Sequence, residues 1–200
     1  MSDIVHDLII VGSGLLSAVR PRSGRDCRSA GSRGRVLMRV YIPATFSMLE
    51  ALKEDELFHA RGGWGFAVTE ALRDFFTEGD DEELADVAFD EAARASLRLL
   101  DAAEEKFPHR RVVISVDVEA EPQSDMGDAV VKVGGPISLA DVAALHIDVE
   151  EAESKVEAAI DAVDKADLGD EDAELTVGDA LEIPLAWYDV AELGMVVDFL

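Results

Sequence analysis

Apolar residues return at three- and four-residue intervals from Leu84 through Val87, Ala88, Ala92, Ala95 and Leu99 to Ala103. One stripe therefore runs along a helix of about six turns. Asp80 stands at its N-cap with Glu83 three residues on, the arrangement of a capping box, and Phe107-Pro108 ends it. A second helix is predicted over residues 150–166, where Ala152, Val156, Ala159, Ile160 and Val163 share a face with Val149. Shorter helical patterns follow Thr45, with Phe46, Leu49 and Leu52, and span residues 66–76, with Val68, Leu72, Phe75 and Phe76. The glycines of Arg61-Gly62-Gly63-Trp64-Gly65 separate these two. Strands are predicted where β-branched residues cluster or alternate: residues 36–44, 111–119, 129–133, 142–148 and 181–190.

With residues 129–133 taken as a small extra strand, the order is one strand, several helices, two strands, a helix and a strand. It matches a βαββαβ plan with an enlarged helical layer, hence a ferredoxin-like α+β sandwich, with a three-layer α/β arrangement as the alternative.

Charge divides the chain at Met38. Residues 1–37 hold six Lys or Arg against three Asp or Glu, and the rest hold twelve against forty. The acidic body opposes binding to nucleic acid phosphates or anionic lipid, which are met by clustered cations. No apolar run approaches the roughly 20 residues that span a bilayer, and no secretory signal is legible, so a cytoplasmic location is expected. The single cysteine, Cys27, excludes a disulfide within one chain.

The leader carries one motif. His6-Asp7-Leu8-Ile9-Ile10-Val11-Gly12-Ser13-Gly14 is an apolar strand entering a Gly-x-Gly turn, and residues 1–14 resemble the opening of bacterial thioredoxin reductases, which implies FAD. The likeness stops there. Ser17 replaces the third glycine, Pro21 and Gly24 break the helix that would receive the phosphate, and no following strand carries an acidic residue for a ribose. Gly12 and Gly14 are thus a broken motif, and no cofactor is expected. The Arg, Ser and Gly mixture over residues 21–35 has no apolar period and cannot offset its ordering entropy. Residues 1–37 read as a disordered or mis-assigned leader, and residues 38–200 as one acidic α+β domain beginning at Met38. Intact-mass measurement of the protein from its host tests that start.

Several stretches of the body carry a second resemblance: residues 38–45, Phe66-Ala67-Val68-Thr69-Glu70-Ala71-Leu72-Arg73, residues 78–84, residues 95–100, His146-Ile147-Asp148 and Trp187-Tyr188-Asp189. Over nearly its full length the body is similar to an uncharacterised conserved family of actinobacterial proteins. That resemblance implies a start at Met38 and carries over no activity.

Chemistry-bearing residues are sparse. His146 and Asp148 project from one face of a strand, as a base and its orienter or as an ordinary hydrogen-bonded pair. His109-Arg110-Arg111 is the densest basic point, either an anion site or a complement to a helix terminus. A zinc site lacks the H-E-x-x-H or paired-cysteine pattern, so no metal is expected. The acidic residues 161–174 fail the EF-hand template and read as a solvated helix end and linker. Tyr41, Arg61, Trp64, Trp187 and Tyr188 are candidate ligand-binding residues, with core packing as the bland reading of the aromatics.

Two function classes follow. One is a small cytosolic binding or regulatory module without catalytic activity, whose partner is left open, a second copy through an exposed sheet face being one option. The other is a small enzyme whose pocket gathers His146, Asp148 and Trp64. The two differ in whether those residues converge in space.

Overall fold

In the computed structural model, which describes residues 36–76, 79–102 and 106–199, the longest pairing joins the first strand, β1 (Val36–Ala44), to β4 (Val112–Pro122). It is antiparallel and continuous from Val36↔Ala120 to Ala44↔Val112. β1 begins two residues before Met38, and Val36 and Leu37 are both exposed. Between the two strands lie α1 (Phe46–Asp55), β2 (Leu57–Phe58), β3 (Trp64–Phe66), α2 (Glu70–Phe75) and α3 (Asp81–Ala102). After β4 come β5 (Val130–Val133), β6 (Ile137–Ser138), β7 (Val142–Ile147), α4 (Glu153–Asp167), α5 (Glu171–Leu181), β8 (Ala186–Tyr188) and α6 (Leu193–Phe199).

β4 organises the sheet because it uses its second edge twice. Residues 112–116 pair with β7, and Ala120 to Pro122 pair with β5. β5 continues to β3, from Trp64↔Lys132 to Phe66↔Val130, and β3 returns to β1 at Tyr41↔Phe66. The strands β1, β3, β5 and β4 therefore close a four-stranded ring, while β7 and β8 extend from β4 as an open wing. β2 and β6 form a separate ribbon.

The narrow ring requires close backbone approach at Gly65. A Cβ there would lie 2.6 Å from Val40 Cγ1 and 2.7 Å from Ile42 Cδ1, so only a glycine fits against these buried side chains without displacing them. The core inside and beneath the ring is apolar throughout: Val40, Ile42, Val116, Ala120 and Val131 pack with Phe46, Leu49 and Leu52 of α1 and Leu193 and Val196 of α6. α3 crosses the other face of the sheet. On its far side Leu97 and Leu100 join the α4–α5 hairpin through Val156, Ile160, Val163, Ala173 and Val177.

The α+β class holds, but the ferredoxin-like sandwich does not. That plan closes no circuit, since its split βαβ units build an open sheet of four strands with the helices on one face. Every pairing among the described residues is antiparallel, and the circuit is closed where a ferredoxin-like sheet is open. The same antiparallel pairing overturns the three-layer α/β alternative. Three local readings also change. Residues 64–66 are a strand, and the helix after them is only α2, whose N-cap Thr69 accepts from Leu72 N. The acidic stretch read as a linker contains the start of α5, capped by Asp170. The strand predicted over residues 181–190 shrinks to β8, with α5 ending at Leu181. Gly12, Gly14, Cys27 and Ala103 lie outside the described residues.

The capping box of α3 forms as its sequence predicts: Asp80 Oδ1 accepts from Glu82 N and Glu83 N, each at 3.0 Å, and Glu83 Oε2 accepts from Asp80 N. No helix among the described residues is long and apolar enough to cross a membrane.

Candidate functional site

Strand alternation sets which residues meet under α3. Arg111, Val113 and Ser115 of the β4 segment, Ala144 and His146 of β7, and Arg39 and Tyr41 of β1 share the face toward that helix. Phe89, the only aromatic residue of α3, sits over them. Its ring lies 4.8 Å from the His146 ring at 71° and 5.6 Å from the Tyr41 ring at 86°, both edge-on contacts. Across the strands, His146 Nε2 is 3.0 Å from Ser115 Oγ. Burial, and then the charge of Arg39, lower the His146 pKa from 6.5 to about 4, so the imidazole is neutral at pH 7. Burial raises the Tyr41 phenol above its ordinary value. Arg39 is held by a two-point ion pair to Asp117 at 2.7 and 3.0 Å.

Asp148 takes no part in this cluster. It lies just beyond β7 and faces Arg111, and both side chains are 0% exposed. Asp148 Oδ2 accepts from Arg111 N at 2.7 Å and from Arg111 Nε at 2.9 Å, while Oδ1 accepts from Nη2 at 2.7 Å. Nη2 also donates to Ile183 O at 2.8 Å. Nη1 is buried without a partner among the described residues. The carboxylate is thus committed to a guanidinium, and His146 has a hydroxyl for its partner. The basic run closes in the same way, with His109 3.8 Å from Glu157 and Arg110 2.6 Å from Glu153.

The remaining predicted residues disperse. Trp187 pairs opposite His146 on β8 and is 60% exposed, whereas Tyr188 turns to the opposite face and packs on the ring core. Trp64 lies on β3 with Lys132 Nζ 3.7 Å from its ring centre, and Lys132 Nζ also donates to Gly62 O. Arg61 is exposed in the turn before it. Tyr41, His146 and Trp187 therefore share one face of the sheet. Asp148 is closed off from them, Tyr188 turns away, and Arg61 and Trp64 belong to the β3–β5 side of the ring. Among the described residues no group of three His, Cys, Asp or Glu has the geometry to hold a metal.

A different concavity lies beside the ring, between α2, α3 and the loop entering β5. Its volume is about 310 Å³. Phe66, Leu72, Val87 and Val130 supply apolar lining, Phe75 and Phe76 form a wall, and Glu91 and Asp128 supply carboxylates. Phe75 is 68% exposed, and its ring stands edge-on to that of Phe76 at 5.1 Å. The end of the loop that enters β5 is pinned to the segment leading into α2: the Thr69 hydroxyl donates to Asp128 O, and Ala67 N donates to Ala129 O at 2.9 Å. The residue pattern alone hid this pocket because residues 66–76 read as a single helix. The adjacent Phe75-Phe76 at a helix end was the available signal.

These features define a class: an α+β domain on a closed four-stranded antiparallel ring, with a preformed apolar pocket at the ring's flank. The chain belongs to the family of unknown function DUF6912, whose model matches residues 38–197. No curated protein and no solved structure matches it.

Proposed function

We propose that residues 38–200 form a binding module whose recognition site is the pocket between α2, α3 and β5. The carrying observation is Phe75, a large apolar side chain left 68% in water at the wall of a concavity whose lining includes the buried Phe66, Leu72, Ala129 and Val130. Isolated exposed apolar residues are ordinary, but here the exposed ring borders a preformed apolar hollow. Fragment screening by amide NMR tests the reading. Perturbations centred on Leu72, Phe76, Ala129 and Val130, abolished in Phe75→Ala, are expected; binding confined to other surfaces overturns it.

A second reading, a small hydrolytic enzyme, draws on the 3.0 Å contact between Ser115 Oγ and the neutral His146. Against it, Ser115 is 2% exposed, and the nearest charged orienter expected for the pair, Asp148, is bonded to Arg111. A serine-directed fluorophosphonate discriminates the readings: covalent labelling of Ser115 supports the enzyme, and an unmodified mass supports the binding module.

A further inference from the structure

The pocket's charge and shape specify its occupant further, and this step rests on the binding-module reading above. Glu91 and Asp128 line the pocket with no ion-pair partner among the described residues. The cation on the neighbouring helix is already committed, since Arg73 Nε donates to Asp81 at 3.0 Å and Arg73 Nη1 to Val68 O at 3.4 Å. The site therefore offers apolar surface and uncompensated negative charge together. A formal charge of −25 over the whole chain adds a long-range field of the same sign.

Size argues for a polypeptide. At about 310 Å³ the hollow is at the lower limit for enclosing a drug-sized molecule, but it admits one bulky side chain. Phe75 and the 38% exposed Phe76 extend the apolar surface outside the hollow, where a chain flanking that side chain would lie. Anionic membranes and nucleic acids are repelled by the same field that attracts a basic segment. We infer that the pocket docks a basic segment of a partner protein, which inserts one large apolar side chain beside Phe75 and sets Lys or Arg against Glu91 and Asp128. The Thr69 and Ala67 bonds that hold the loop in place lower the ordering cost of this docking.

The test titrates the full chain with short peptides that carry one Phe flanked by lysines, by serines or by glutamates, with calorimetry for affinity and amide NMR for location. The lysine peptide is expected to bind tightest and to shift Leu72, Phe76, Ala129 and Val130. Phe75→Ala is expected to weaken it about tenfold, as truncation of an interface anchor does. Glu91→Gln with Asp128→Asn is expected to bring the lysine peptide down to the affinity of the serine peptide, and added salt to act in the same direction. Both variants alter exposed or rim groups, and circular dichroism confirms their fold. Equal binding of the serine and lysine peptides at those amides overturns the basic partner and leaves the pocket as a binding site. Absence of shifts there with every peptide overturns both.

Discussion

Toward α1 and α6 the sheet presents Val40, Ile42, Val112, Ile114, Leu145 and Ile147, all fully buried, whereas toward α3 the intervening positions hold Tyr41, Arg111, Ser115 and His146. The first face can tolerate no polar atom because the ring and two helices exclude water from it. The second accepts polar atoms by pairing them: Arg111 with Asp148, Ser115 with His146, and Arg39 with Asp117. The difference separates two ways of stabilising one sheet. One depends on buried apolar volume, and the other on completeness of its polar pairs.

The sharpest way to break the comparison is Asp148→Ala. It leaves the Arg111 charge buried without a counter-ion, and a loss of about 3–5 kcal/mol is expected in urea unfolding. Replacing both partners, Arg111→Met with Asp148→Leu, is expected to cost less than the single change; an equal or greater cost would show that the pair itself supplies the stability. On the apolar face, Leu145→Ala is expected to lose about 2–5 kcal/mol through the cavity it leaves, measured in the same way. Gly65→Ala tests ring closure. Its methyl must displace Val40 and Ile42, with an expected cost of about 1–3 kcal/mol and altered amide shifts along β1 and β3.

A further effect is an acid sensitivity that originates on the α3 face. His146 is held neutral in the fold, with its pKa moved from 6.5 to about 4. The unfolded chain therefore binds more protons between those values, and this contribution is present above pH 6.5 and declines as pH falls toward 4. Asp90 acts with the opposite sign, because burial and then the nearby Asp86 raise its pKa and make its protonation stabilising. Urea midpoints measured across that window are expected to fall in the parent chain and to flatten in His146→Gln. A parallel fall in both would exclude His146 as the cause.

How much of this was legible depended on distance along the chain. The capping box of α3 joins residues three apart, β1, β4 and β5 announce themselves by local β-branched clustering, and β7 by the alternation of Leu145 and Ile147 with His146. Ring closure depends also on β3, a strand of three residues masked by the helical spacing of Val68, Leu72 and Phe75 just after it. The apolar positions of α5, Ala173, Val177 and Ala180, are sparse among carboxylates and Gly178, so its helix was hidden by composition. At the candidate site His146 was visible as a chemical group. Its partner Ser115 lies 31 residues away and the partner of Asp148 lies 37 residues away, and only the β4–β7 register brings each pair together. Alternation alone placed His146 and Asp148 on one face, but Asp148 lies beyond the end of β7 and its carboxylate is taken by Arg111.

Pairing β1 with β4 also sets the order in which the protein can assemble. The two strands are separated by at least 68 residues, so β1 must stay unpaired on its longest edge until most of the domain has been synthesised. Helices α1 and α3 form from local contacts in that interval, and the search for β4 becomes the slow, topologically demanding step of folding.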